Sequence, residues 1–197
     1  MRILLIGGSG YVGSAAREVL GVDHEVVVVG RSTEPGVDIT SQQSIRELFD
    51  ATGQFDAVVV AAGSVPFGPL GELTREDYTS AFTGKVLGQI DVVRIGTAHV
   101  RDGGSFTLTS GVLARHAIAA GSAASMANGA LESFVMAAAP EMPRGIRINA
   151  VSPTVLASAP EFFDSFPGFV PVEPHVVGMA FRRSVEGVDT GQVFELD

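Results

Sequence analysis

The segment from Ile3 to Gly13, ILLIGGSGYVG, decides the fold of this 197-residue chain. Ile3–Ile6 is a continuous apolar run typical of a buried parallel strand, and the spacing predicts a helix from about Tyr11 to Leu20. Between them, three glycines stand at intervals of three residues, where a tight turn, a close backbone approach and helix packing each need a glycine. This order predicts a pyrophosphate site on the free N–H groups at the helix N-terminus, and a turn that binds no ligand is the alternative.

Apolar runs bounded by Gly, Ser or Asp alternate with helical patterns along the rest of the chain, which is typical of parallel strands joined by crossover helices. Further strands are predicted at residues 25–29, 56–61, 105–109, 146–151 and 192–196, with a stub strand at 37–39. Helices are predicted at about 41–51, 74–82, 85–100, 122–139 and 172–183, and Gly103-Gly104 is expected to stop the third of these. We therefore expect residues 1–197 to form a single Rossmann-type α/β domain, a doubly wound parallel sheet of six to seven strands with helices on both faces.

Composition excludes several classes of partner. The formal net charge is −9 and no basic cluster is longer than Arg182-Arg183, so we expect neither nucleic acid nor an anionic membrane as a partner. The chain has no cysteine, and its four histidines lack the spacing of metal ligands, so no metal site is expected. The first apolar run is interrupted at once by glycines, which predicts a cytoplasmic protein without a signal sequence or membrane span.

The end of the second strand indicates which dinucleotide would bind. An NAD site places a carboxylate there for the ribose 2′-hydroxyl, whereas this chain continues Gly30-Arg31-Ser32. Arg31 and Ser32 suit a 2′-phosphate, so the predicted cofactor is NADP(H); a merely solvated Arg31 is the alternative. The phosphate-loop residues expected to contact it are Gly7, Ser9, Gly10, Tyr11, Val12 and Gly13.

Several blocks together resemble the short-chain dehydrogenase/reductase superfamily over nearly the whole chain. They are Gly7 to Gly13, VDIT at 37–40, VAAG at 60–63, GSFTLTS at 104–110, RGIRINAVSP at 144–153 and TGQVF at 190–194. The resemblance implies contacts with the adenine by Asp38 and Ile39, with the adenosine side by Ala61, Ala62 and Gly63, and near the nicotinamide by Pro153, Thr154 and Val155. It also implies a small-molecule substrate.

The chain departs from the family at the catalytic residues. The resemblance implies general acid–base catalysis by four residues, Asn, Ser, Tyr and Lys, and Ser110 matches the serine. The tyrosine position is Ala124 and the lysine position is Asn128, while the asparagine position is Lys85. We hypothesise that Asn128 hydrogen-bonds the nicotinamide ribose and that Lys85, near Ser110, donates a proton or binds an anionic ligand. A solvated helix residue is the alternative for Lys85.

The segments after Ser110 and Pro153 are expected to line the substrate side. His116 is interpreted as an exposed loop residue or, alternatively, a catalytic acid. Four phenylalanines suggest an apolar flap or local core: Phe162, Phe163, Phe166 and Phe169.

The helices at 85–100 and 122–139 are apolar around much of their circumference, and the second carries one charge, Glu132. In the family these helices pair across a dimer axis, and four small residues would permit close approach: Gly121, Ala123, Ala127 and Gly129. A homodimer or homotetramer is expected.

Two functions follow. The first is an NADP(H)-dependent oxidoreductase with a non-standard site, in which Ser110 and Lys85 polarise a small carbonyl or activated alkene. The second is a catalytically silent NADP(H)-binding sensor or partner subunit, because Ala124 removes the usual acid.

Overall fold

Six parallel strands form one sheet in a computed structural model that describes residues Met1–Asp197. The strand order is β2-β1-β3-β4-β5-β6. The strands are β1 (Arg2–Ile6), β2 (Glu25–Val29), β3 (Phe55–Val60), β4 (Val100–Thr109), β5 (Arg147–Pro153) and β6 (Val193–Leu196). The helices are α1 (Tyr11–Leu20), α2 (Gln42–Thr52), α3 (Arg75–Ala81), α4 (Gly88–Gly96), α5 (Ser122–Ala138) and α6 (Pro174–Glu186).

Helices cover both faces of the sheet, which confirms the predicted doubly wound α/β class. Alternate strand residues point to opposite faces, so Leu4 and Ile6 enter one core while Ile3 and Leu5 enter the other. The first core is closed by α2, α4 and α5, and the second by α1 and α6. Because both faces are buried, the strands read as the continuous apolar runs seen in the sequence.

Two local predictions were wrong. Residues 37–39 form no strand. Val37 and Ile39 are instead buried in the first core, where their apolar side chains pack beside β2. The Val37 N–H donates to Gly30 O at 2.9 Å. Gly103-Gly104 does not end a helix: α4 ends at Gly96 and the two glycines lie within β4.

Gly103 and Gly104 lie at an irregularity in the pairing of β3 with β4. The β3–β4 register shifts between Phe55 and Ala57, Gly103 has a φ of 72°, and a Cβ on Gly104 would lie 2.5 Å from Asp56 O. Only glycine fits such an irregularity, where a backbone comes this close.

Strand order reverses at β1, which lies between β2 and β3. Ligands of open α/β sheets bind in the crevice at the carboxyl ends of the strands on either side of such a reversal. No helix is both long and apolar enough to cross a bilayer.

Candidate functional site

The glycine turn after β1 is built by close backbone approaches. Gly7 has a φ of 90°, and a Cβ there would lie 2.5 Å from Ala61 O. A Cβ on Gly13 would lie 2.1 Å from Gly7 O, whereas one on Gly10 would find no atom nearer than 3.8 Å. Gly7 and Gly13 therefore hold the turn together, and Gly10 leaves room beside it.

Helix α1 begins with free donors. Its N-cap is Gly10, which has no side chain to accept from the first-turn N–H groups. These groups, together with the helix dipole, favour an anion at this end. Val12 packs against the second core, while Tyr11 is exposed, donates its hydroxyl to Glu161 and meets Phe162 edge-on at 6.4 Å between ring centroids.

A cavity of about 290 Å³ lies at the strand reversal. It is lined by Ile6, Gly7, Ser9, Gly10, Gly30, Arg31, Val37, Asp38, Ile39, Thr40, Ala61, Ala62, Gly63, Ser64 and Gly84. Most of the residues predicted for the phosphate and adenosine contacts are thus brought together here. Ser32 is exposed next to Arg31 and does not line the cavity.

The cavity carries one unpaired cation. Arg31 is exposed and takes part in none of the ion pairs of the chain. Asp38 Oδ1 accepts from Thr40 N at 2.9 Å and Thr40 Oγ1 at 2.8 Å, and these bonds lower the pKa of Asp38. The charge of Arg31 lowers the pKa of Asp38 further, but the two side chains form no ion pair, so the Arg31 guanidinium is available to bind a phosphate.

Lys85 lies where the cavity meets the strand ends. It occupies a π-helical turn, Phe82–Leu87, between α3 and α4, and such turns are frequent at functional sites. A Cβ on Gly63 would lie 3.0 Å from Lys85 Cα, so glycine at 63 allows this close contact. Lys85 is half-buried as a residue, and its Nζ donates to Ser110 O at 3.2 Å. Burial lowers the pKa of Lys85 to about 8, against an opposing effect of Glu132.

The Ser110 hydroxyl points to a carboxylate. Ser110 Oγ donates to Glu132 Oε1 at 2.8 Å, and the same oxygen accepts from Ser152 Oγ at 2.7 Å and Arg115 Nη1 at 3.0 Å. A serine hydroxyl has a single proton, so Ser110 presents only lone pairs elsewhere. Of the Lys85–Ser110 pair, Lys85 is therefore the group with protons to give.

Among the buried polar atoms without a hydrogen-bond partner are Asn128 Oδ1 and Thr154 Oγ1. Asn128 lies against Gly111, on which a Cβ would come within 3.0 Å of Asn128 Nδ2. Thr154 follows β5 between Pro153 and Val155, and its N–H donates to Leu196 O at 2.9 Å. Buried polar atoms are rarely left without partners, so these two fit a ligand that supplies hydrogen bonds.

Apolar side chains surround Ala124, the residue predicted to stand at the family's tyrosine position. Ala124 is buried in a cluster with Val112 and Leu113, against which Phe166 and Phe169 pack. Beside this cluster lies a second cavity, of about 350 Å³, lined by Val112, His116, Pro167, Gly168, Phe169, Val170 and Asp197. His116 Nε2 lies 3.6 Å from Asp197 Oδ2.

The outward face of α5 differs from the sequence-based expectation. Gly121, Ala123 and Ala127 are buried inside the chain, so they cannot meet a partner helix. Only Gly129 of the four small residues faces open space. The side chains on that face are instead Met126, Ser133 and Met136, at helical spacing.

Sequence reasoning missed Glu132, Arg115 and Ser152. The lone charge in an alanine-rich helix was the one available signal, because the partners of Glu132 are distant in sequence. No group of three His, Asp or Glu side chains is placed to hold a metal ion.

Comparison with known proteins agrees with this geometry. A family model described as enoyl-(acyl carrier protein) reductase matches residues 24–192. The chain therefore belongs to this family of short-chain dehydrogenase/reductase oxidoreductases. Hydroxynaphthalene reductase-like protein Arp2 of Metarhizium brunneum is 32% identical over 151 residues, covering 71% of this chain and 55% of that protein. The short-chain dehydrogenase/reductase GME11373 of Pestalotiopsis microspora is 34% identical over 127 residues, covering 59% and 46%. The chain thus spans about half the length of these curated relatives.

Solved structures match over the whole chain. The crystal structure of the protein lin1944 from Listeria innocua is 45% identical with a TM-score of 0.98, covering 100% of both chains. A small-chain dehydrogenase crystallised in complex with NADPH is 26% identical with a TM-score of 0.88, covering 100% of this chain and 96% of that one.

Proposed function

We propose that this chain is an NADP(H)-dependent oxidoreductase that reduces a small carbonyl or activated alkene, with Lys85 as the proton donor. The observation that carries the proposal is the placement of Lys85. It is the only lysine of the chain, it is half-buried beside the cavity at the strand reversal, and its Nζ is 3.2 Å from Ser110 O. Family membership and the NADPH complex of a 26% identical neighbour support the cofactor.

The cofactor site would use groups that have no other task. The pyrophosphate would lie on the N–H groups at the start of α1, beside Gly10, and Arg31 at the cavity would bind the 2′-phosphate, with the exposed Ser32 next to it as a further donor. Asn128 Oδ1 would accept from a ribose hydroxyl, and Thr154 Oγ1 would bond the nicotinamide end. Bound NADPH supplies a hydride to the acceptor.

Lys85 suits the acid role by its chemistry. A side chain that exchanges a proton works best when its pKa is near the operating pH, and burial brings the pKa of Lys85 to about 8. The other twelve basic residues are arginines, which stay protonated throughout. Lys85 therefore supplies both a positive charge that polarises an acceptor oxygen and a proton that can leave. Ser110 holds the ammonium through its backbone carbonyl.

The substrate would approach from the second cavity. Its lining is largely apolar around Val112 and Phe169, with His116 and Asp197 at one side. This arrangement favours a small molecule with an apolar body and one polar group.

A second function is favoured by one observation. Ala124 is buried among apolar side chains and offers no acid at the position that the family resemblance assigns to tyrosine. The lack of that acid supports a catalytically silent NADP(H)-binding sensor or partner subunit.

One experiment separates the two functions. NADPH and NADH are titrated by fluorescence, and NADPH oxidation is then followed with a panel of aldehydes, ketones and enoyl substrates. We expect NADPH to bind more tightly, turnover on at least one substrate, and loss of turnover but not of binding in Lys85→Met. Tight NADPH binding without turnover on any substrate would select the silent protein. Tighter binding of NADH would overturn the role of Arg31.

We further propose that residues 1–197 act as one NAD(P)-binding unit in the cytoplasm, where NADP(H) is found. The outward face of α5, with Met126, Gly129 and Met136, would pair with a second copy in a homodimer or homotetramer. Exposed methionines around a glycine form an apolar surface that a second helix can approach closely.

A further inference from the structure

Glu132 lies at the centre of a hydrogen-bond network at the carboxyl ends of β4 and β5. Its side chain is 12% exposed and stands four residues after Asn128 on the same face of α5. One oxygen, Oε1, accepts from Ser110, Ser152 and Arg115 at 2.7 to 3.0 Å. The three donors come from the end of β4, the loop beyond it, and β5, so Glu132 ties three segments together.

The carboxylate is not neutralised by its arginine. Arg115 is shared, since its Nη2 lies 2.8 Å from Asp197 Oδ1 and its Nε 3.4 Å from Glu195 Oε1. One guanidinium thus serves three carboxylates, and the cluster is formally negative. The remaining titratable group at this cluster is His116, which faces Asp197. Besides Arg115, Lys85 is a cation whose charged form the negative charge of Glu132 favours.

Glu132 is also connected to Lys85 through a single residue. The side chain of Ser110 donates to Glu132, while its backbone carbonyl accepts from Lys85 Nζ. The hydrogen bond to the carboxylate therefore restrains the residue whose carbonyl holds the ammonium. Charge and position act on Lys85 from the same side chain.

We propose that Glu132 is the positioning residue of the Lys85 site: through Ser110 it fixes where the ammonium lies, and through its negative charge it favours the ammonium over the free amine. The inference builds on the proposed role of Lys85 as proton donor. In this inference the proton donor Lys85 works together with Glu132 on another helix, and Ser110 connects the two side chains.

The chain offers a direct test because Lys85 is its only lysine. Protein grown with ¹³C-lysine gives one Cε resonance, whose shift against pH reports the pKa of Lys85 without cofactor or substrate. Glu132→Gln keeps the size and the accepting oxygen but removes the charge. We expect the pKa of Lys85 to fall by about one unit, the size of effect that a nearby charge has.

Ser152→Ala is the matched control, because it removes one hydrogen bond to the same oxygen and leaves the charge. The pKa of Lys85 should be unchanged in this variant. If the network acted only by holding the structure together, Ser152→Ala would shift that pKa as Glu132→Gln does. Arg115→Gln removes a positive charge from the cluster and should therefore raise the pKa of Lys85. If Glu132→Gln does not fold, this variant tests the effect of the cluster charge on Lys85. An unchanged titration in the Glu132 variant, or an equal fall in Ser152→Ala, would overturn the proposal.

A kinetic measurement separates this inference from the proposed function. If the chain turns over substrate, the alkaline limb of kcat/KM should shift down with the Lys85 titration in Glu132→Gln. A shifted titration without turnover in any variant would retain the Glu132–Lys85 pair and reject the oxidoreductase.

Discussion

Substitution of two glycines of the same turn should separate folding from cofactor binding. In Gly13→Ala the new methyl would lie 2.1 Å from Gly7 O and 2.8 Å from Gly8 Cα, and both are backbone atoms that cannot rotate away. In an open helix this change would stabilise by about 1 kcal/mol. Overpacking costs typically about 1 to 3 kcal/mol and should dominate here. After the helix gain is subtracted, a net loss of up to about 2 kcal/mol remains, and for a chain of this size we expect Tm to fall by up to about 8 °C.

Gly10→Ala provides the contrast. Its methyl would find the nearest atom at 3.8 Å and would enter the first cavity beside the start of α1. We expect a change in stability within about 0.5 kcal/mol, as for a surface substitution. NADPH affinity should nevertheless fall at least about tenfold, which corresponds to about 1.4 kcal/mol.

Thermal unfolding and NADPH fluorescence titration of both variants provide the readout. A Gly13→Ala protein as stable as the parent would show that the turn relaxes, contrary to the close contacts described. If Gly10→Ala binds NADPH as the parent does, the pyrophosphate does not lie at the N-terminus of α1.

Four further predictions concern other parts of the molecule. Arg31→Ala should weaken NADPH binding by about 10- to 100-fold, as loss of a hydrogen bond to a charged group implies, and leave NADH binding unchanged; equal losses for both cofactors in calorimetric titration would contradict the 2′-phosphate contact. With the ammonium of Lys85 as the proposed acid and its pKa of about 8, kcat/KM should be level below that pH and fall as pH rises through it. The lowered pKa of Lys85 also implies that stability to urea increases between about pH 8 and 10.5, since the unfolded chain binds the extra proton there, and Lys85→Met should lack that increase. Met126→Glu should convert a dimer to a monomer in sedimentation equilibrium while Val188→Glu, another exposed apolar position, should not; a parent that is already monomeric would refute the α5 interface.

The fold could be predicted from local patterns because both faces of a parallel sheet are buried. Each strand is an apolar run, and the glycine turn after Ile6 identifies the first βα unit. The strand predicted at residues 37–39 was wrong because Val37 and Ile39 pack into the core from a loop and do not extend the sheet. Gly103-Gly104 has the composition of a helix stop, but its glycines are required by the register shift of β4.

The candidate site was predictable only where its residues are consecutive. The phosphate loop and Arg31 follow directly after strands, and their place at the strand ends is dictated by the topology. Glu132 could not be assigned a role, because Ser110, Arg115 and Ser152 meet it only after the sheet has assembled. The Ser110 hydroxyl donates its proton to Glu132 only in the folded chain, and it therefore has no proton left to donate to a ligand.

The loop of residues 30–41 has a consequence for how this protein could change over time. Two inward side chains, Val37 and Ile39, hold its second half to the core, and Thr33 bonds its first half to Gly30. Arg31 and Ser32 project outward between these anchors. With the proposed role of Arg31, selection for a particular dinucleotide and selection for a stable sheet act on different positions of one short segment. Substitutions at Arg31 and Ser32 would then change cofactor preference without removing a buried side chain.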